Sequence, residues 1–132
     1  MSQVFAADSV NNISAPNVPT TTETPVVTGN FLNPPFGNAK ANVSASLVLT
    51  VGTGHTSVQL RLRRNPNGEN AVVANSGSVT AVAGNTMQLA IQAADAIPDG
   101  RPVQYQLTIQ QAGGAGNGTA SFGNIATLLI SG

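Results

Sequence analysis

The sequence predicts an all-β domain, an antiparallel sandwich or jelly roll, and three observations carry that expectation. Apolar and polar residues alternate with a period of two over most of the chain. Clusters of Gly, Pro and Asn recur at roughly ten-residue spacing, which stops each run before a helical period accumulates. The core formers are Val, Leu, Ile and many Ala; the aromatics are Phe5, Phe31, Phe36, Phe122 and Tyr105, with no Trp. About eight strands patterned in this way fit a single layered β body rather than an α/β fold.

Residues 2–24 are rich in Ser, Thr, Asn and Pro, with isolated apolar residues at Val4, Phe5, Val10, Ile13 and Val18. Such a segment buries too little apolar surface to fold alone. Two readings stand open: a frayed tail, or an extended arm that orders against a neighbouring subunit or a host surface, with Val4, Phe5, Val10 and Ile13 as anchors. The expected organisation is an extended or flexible N-terminal arm over 1–24 and a β-sandwich over 25–132.

Residues 25–32 read as a short first strand, closed by a turn in which Pro34 and Pro35 forbid further ladder pairing. Val43, Ala45, Leu47, Leu49 and Val51 then form one apolar row. A turn at 52–55 leads to the strand 56–64, where Val58, Leu60 and Leu62 alternate with Gln59, Arg61 and Arg63, and the two strands read as a hairpin. Asn65-Pro66-Asn67-Gly68 is a strong reversal signal. Short β-branched runs follow at 71–75 and 78–83. Residues 86–93 place Met87, Leu89, Ile91 and Ala93 on one face and read as a strand, although Ala and Gln also suit a helix. A loop at 95–102 precedes the clean alternation of Val103, Tyr105, Leu107 and Ile109. A flexible glycine-rich loop at 112–118 precedes the last strands, 119–122 and 124–130.

Five basic and five acidic residues give a net charge of zero, and charged residues make up 8% of the chain, against roughly 25% in ordinary soluble proteins. A polar, nearly uncharged surface gives little protection against self-association and suits a subunit of an oligomer or larger assembly. There is no cysteine, so disulfides and thiolate metal sites are excluded. No signal peptide and no run near 18 apolar residues is present, so the expectation is synthesis in the cytoplasm and no membrane insertion.

No motif carries catalysis. The glycine run 113–118 has neither the Gly-Lys-Ser/Thr ending nor the following helix of a phosphate loop. His55 is the only histidine and reads as a polar turn residue rather than a ligand or base. No serine sits in a Gly-x-Ser-x-Gly elbow. Asp95 and Asp99 are expected to pair with Arg101 or with the Arg61/Arg63 row rather than to hold calcium. Arg61, Arg63 and Arg64 concentrate three of the five basic residues, but a neutral chain lacks the wide basic footprint that nucleic-acid binding needs. They are expected at an exposed or subunit-facing surface, paired with carboxylates.

The strand Val58-Gln59-Leu60-Arg61-Leu62-Arg63-Arg64, the Ala83-Gly84-Asn85 before an alternating strand, the Asp95-x-x-Pro98-Asp99-Gly100 loop, Tyr105-x-Leu107-x-Ile109 and Gly116-Asn117-Gly118 together resemble small jelly-roll structural proteins of tailed phages, of the decoration or head-fibre type. In strand pattern they are also similar to trimeric TNF/C1q-like heads. The resemblance covers roughly residues 43–130 and carries no functional residue across. It implies an eight-stranded jelly roll, three-fold assembly and a place on a virion. The expected function is that of a non-enzymatic capsid decoration or cement protein. It would bind and stabilise the phage head as a homotrimer, with the major capsid protein or another virion protein as partner and no nucleic acid, membrane or cofactor. The alternative is a receptor- or carbohydrate-binding head domain of a fibre or cell-surface protein. The residues expected to make contacts are Val4, Phe5, Val10, Ile13, Arg61, Arg63 and Arg64.

Overall fold

The computed structural model describes residues 4–13, 17–19, 21–34, 39–97 and 101–131. Among them there is no helix. The strands are β1 (Val4–Val10), β2 (Asn17–Val18), β3 (Thr24–Thr28), β4 (Ala39–Thr50), β5 (Ser57–Arg64), β6 (Ala71–Asn75), β7 (Val79–Thr80), β8 (Thr86–Ile97), β9 (Tyr105–Ala112) and β10 (Gly118–Ser131).

Two antiparallel sheets result. The first has the order β1-β10-β4-β8, with β2 beside β10; the second has the order β3-β9-β5-β6, with β7 beside β5. The chain passes repeatedly from one sheet to the other, as a jelly roll requires. Period-two burial along β4 sends Ala39, Ala41, Val43, Ala45, Leu47 and Leu49 into the interior, where they meet Val58, Leu60 and Leu62 of β5 and Leu107 and Ile109 of β9. Small Ala and Val side chains on both inner faces help fill the space between the sheets, and among the described residues Tyr105 is the one aromatic buried there.

Several expectations are corrected. β4 and β5 are not a hairpin: β4 pairs with β10 and β8, whereas β5 pairs with β9, β6 and β7. Each strand has one strongly apolar face, and two such faces are both buried only when they oppose each other across the core. Residues 4–10 are not a free arm either, because β1 lies in the first sheet, from Val4↔Ile130 to Val10↔Ile125. Alone this segment could not fold. Against β10 its backbone is hydrogen-bonded, and Ala6, Val10 and Ile13 pack on the core. β4 starts four residues earlier than its apolar run indicated, and β8 runs on to Ile97 through residues expected in a loop.

The two final strands are one. A register shift between Ala120 and Phe122 absorbs the extra residue and keeps Ala120, Ile125 and Leu129 inward while Phe122 stays outside. Gly123 sits just after the shift, where a Cβ would be driven into Ile13 and Val27.

Candidate assembly surfaces

The arginine-bearing strand β5 behaves as its alternation demands. Leu60 and Leu62 are buried, and Arg61 and Arg63 lie on the outer face of the second sheet. Their carboxylate is Glu23, immediately before β3, and not Asp95; Asp99, the other expected partner, lies outside the described residues. Arg61 Nη1 reaches Glu23 at 3.1 Å and also Gln110 at 2.8 Å. Arg63 grips the same carboxylate with Nε at 2.6 Å and Nη2 at 2.8 Å, and the Thr108 hydroxyl donates to it at 2.8 Å. Glu23 therefore ties the start of β3 to β5 and β9.

Arg63, with Thr108 and Arg61 in support, holds the Glu23 carboxyl at about 2, well below its ordinary 4.5, although burial opposes this. A carboxylate depressed in the folded state stabilises fully above its unfolded value and loses that contribution as the pH falls through the folded value. Wild type is therefore expected to lose about 1–2 kcal/mol, after discounting for solvent screening, between pH 4.5 and pH 2 through this group alone. In acid denaturation curves, Glu23→Gln should be less stable than wild type at pH 7 and should converge with it near pH 2.

Arg64 differs. It is in phase with Leu62, so its side chain turns into the gap between the sheets at the end of the apolar row. There Nη1 donates to both oxygens of Asp95 on β8, at 2.8 and 2.9 Å, and Nε and Nη2 grip Glu69. The Tyr105 hydroxyl donates to Asp95 at 2.6 Å. Burial, reinforced by the Asp95 carboxylate, pushes the Tyr105 phenol above its ordinary range. Arg64 itself is pushed further up, chiefly by Glu69. This cluster joins one sheet to the other.

The outer face of the first sheet is different in kind. Outward positions of β1, β10, β4 and β8 form cross-strand rows such as Ala7, Leu128, Asn42 and Ala94, and Ser9, Ala126, Ser44 and Gln92. A shallow groove of about 690 Å³ runs across these rows. Of the charged residues on this sheet, Asp95 is buried and Asp8 is bonded to Asn30. Only Lys40 remains on the outward face. Phe122, 51% exposed, and Leu128 stand on this face, and Val4, 58% exposed, lies at its edge.

At one end of the sandwich the loops 51–56 and 113–117 lie backbone against backbone. A Cβ on Gly52 would run into the Gly116 carbonyl, and one on Gly114 into Gly54 and His55. His55, 1% exposed, is not an open turn residue. Its Nδ1 accepts from the Gly114 amide at 3.1 Å, which leaves Nε2–H to donate to the Gly116 carbonyl at 2.7 Å. Buried Gln111 accepts from the Gly52 amide at 2.8 Å. The glycine run is thus a docked loop.

Of the residues expected to make contacts, Val10 and Ile13 are engaged with the molecule's own core, Val4 is exposed, and the side chain of Phe5 lies outside the described set. Arg61, Arg63 and Arg64 are satisfied within the chain. Among the described residues no three His, Asp or Glu side chains gather as a metal set.

No family model matches the sequence, and no curated protein matches it. Solved structures do match in fold. A chain of the infectious bursal disease virus VP2 subviral particle superposes with a TM-score of 0.58 at 10% identity, over 98% of this chain and 37% of the viral one. Eiger TNF from S. frugiperda gives 0.55 at 9% identity, over 96% of this chain and 92% of the other. A xylan-binding module gives 0.50 at 13% identity, over 96% and 95%. The protein has a jelly-roll fold of the kind found in viral particle and TNF chains, and it spans little more than a third of the viral chain.

Proposed function

We propose that the protein is a non-enzymatic structural component of a virion, a decoration or cement protein that binds and stabilises a phage head as a homotrimer. The observation that carries this reading is the small-residue outer face of the first sheet, on which Lys40 is the one outward charge among the described residues. Strands about 4.8 Å apart and about 12 residues long make that face roughly 700 Å², close to the ~800 Å² per partner of a stable interface. The opposite outer face carries the ion pairs and amide side chains and is already satisfied. Jelly-roll similarity to a viral particle chain supports a place on a virion, with the major capsid protein or another virion protein as partner.

Val4, at the edge of that face, is the proposed docking residue for the particle. Deleting residues 2–24 would remove an edge strand, so the test is made with point variants. Light scattering should report three copies for wild type, or six where two trimers pair, and loss of the three-fold unit for Ser44→Arg, which plants a cation in the middle of the face. Val4→Asp should keep three copies and bind undecorated particles at least tenfold more weakly. A stable monomer in dilute wild-type solution overturns the assembly, and undiminished binding by Val4→Asp moves docking elsewhere.

A second reading, a carbohydrate-binding domain, is favoured by the full-length match to the xylan-binding module and by the amide pair Gln59 and Gln110 on the outer face of the second sheet. A glycan array with wild type and Gln110→Ala separates the two.

A further inference from the structure

Each sheet ends in two edges, one of them shared with a two-residue strand, β2 or β7, and an unprotected edge is a template for pairing with another chain. Three of the four edges are blunted. β1 has 7 residues and shifts register between Val4 and Ala6. β3 has 5, contains Pro25, and shifts register after it. β6 has 5, and its ladder with β5 shifts between Leu62 and Arg63. β8 has none of these devices. It runs for 12 residues without proline, and its ladder with β4 is continuous from Ala39↔Ile97 to Thr50↔Thr86. Its one charged side chain, Asp95, is turned inward onto Arg64.

The backbone direction of β8 follows from its ends. The Asn85 carbonyl accepts from Val51 across the ladder, whereas the Ala96 carbonyl faces away from β4 and meets Arg64 Nη1 at 3.4 Å. Because the N–H and C=O of one residue point to the same side and alternate along a strand, Thr86, Gln88, Ala90, Gln92 and Ala94 direct theirs to the open edge. Among the described residues no strand but β4 pairs with β8. Arg64 closes this edge at Ala96, so the open stretch is 86–94 and its midpoint is Ala90.

We infer that this edge pairs antiparallel with the same edge of a second copy, across a two-fold axis at Ala90. The open stretch is self-complementary in that register. Ala90 faces its own copy, Gln88 faces Gln92, Thr86 faces Ala94 and, on the inner side, Leu89 faces Ile91. The glutamine amides donate and accept in either direction, nothing bulky stands at the centre, and no charge repels the approaching strand. About ten backbone hydrogen bonds close, the contact is isologous, and the two four-strand paths become one eight-stranded sheet. The inference rests on the backbone of the edge alone and is separate from packing on the outer face.

The chain has no cysteine, so introduced thiols report the register. Residues directly opposite in a hydrogen-bonded pair have Cα atoms about 5.5 Å apart, within disulfide reach. Under mild oxidation Ala90→Cys should convert mostly to a covalent dimer. Gln88→Cys alone should not, but mixed with Gln92→Cys it should. Without cross-linking, Ala90→Lys sets like charges opposite each other and should halve the mass measured by light scattering, and mixing it with Ala90→Glu should restore that mass. Equal cross-linking at 88 and 90, none at 90, or an unchanged mass for Ala90→Lys overturns the inference. A face-packed trimer without edge cross-links would leave the proposed function standing, and edge dimers that survive Ser44→Arg would do the reverse.

Discussion

Arg64→Ala is expected to be the most damaging single change on the polar side of the molecule, costing about 3–5 kcal/mol. The residue joins Asp95 and Glu69, and only 14% of its own side chain and 10% of that of Asp95 is exposed. Removing the cation leaves a carboxylate between two sheets with Tyr105 as its remaining donor there, and charges stranded in this way account for the large losses seen when one partner of a buried pair is deleted. Thermal unfolding should shift down by roughly 10–20 °C for a domain of this size. Tyr105→Phe, which removes one hydrogen bond to the same carboxylate, should cost about 2 kcal/mol. The double variant Arg64→Met/Asp95→Leu should recover most of the loss, since an apolar pair avoids desolvation altogether. A loss below about 1 kcal/mol for Arg64→Ala would mean that Asp95 takes up water instead.

Gly52→Ala is expected to cost about 3 kcal/mol, at the upper end of overpacking effects. The added methyl points at the backbone of Gly116 and Asn117 rather than at a flexible side chain. Relief therefore requires the two loops to separate, which breaks the Gly52 bond to Gln111 and the His55 bonds together. Gly68→Ala is the control, because its Cβ would meet nothing within 4 Å; it should lie within about 0.5 kcal/mol of wild type. Chemical denaturation of both variants decides between a tight clasp and two loops that happen to lie near one another.

The strands of the body were legible because alternation and turn residues are local signals. Leu60 and Leu62 against Arg61 and Arg63 needs no partner to be read. β1 was not legible, since its apolar residues are too sparse to announce a strand and its stability comes from β10, at the other end of the chain. The hairpin expectation for β4 and β5 failed for a related reason: loop length says that two strands are close, not whether they share a sheet. Glu23 gave no signal as the partner of Arg61 and Arg63, because the pairs span 38 and 40 residues. Arg64 did give one. Its phase with Leu62 placed it on the inward face, where a guanidinium needs a carboxylate.

The clasp held by His55 also bears on kinetics. Its two loops lie about 60 residues apart in sequence, so in a folding chain they meet only after most of the strands between them have found their places. Interactions made that late are absent from the transition state, and weakening them leaves the folding rate nearly unchanged while the native state opens faster. His55→Ala should therefore steepen decay in an unfolding assay and barely alter refolding. The lifetime of the native state, rather than the speed of reaching it, is the quantity that this small charge-free end protects.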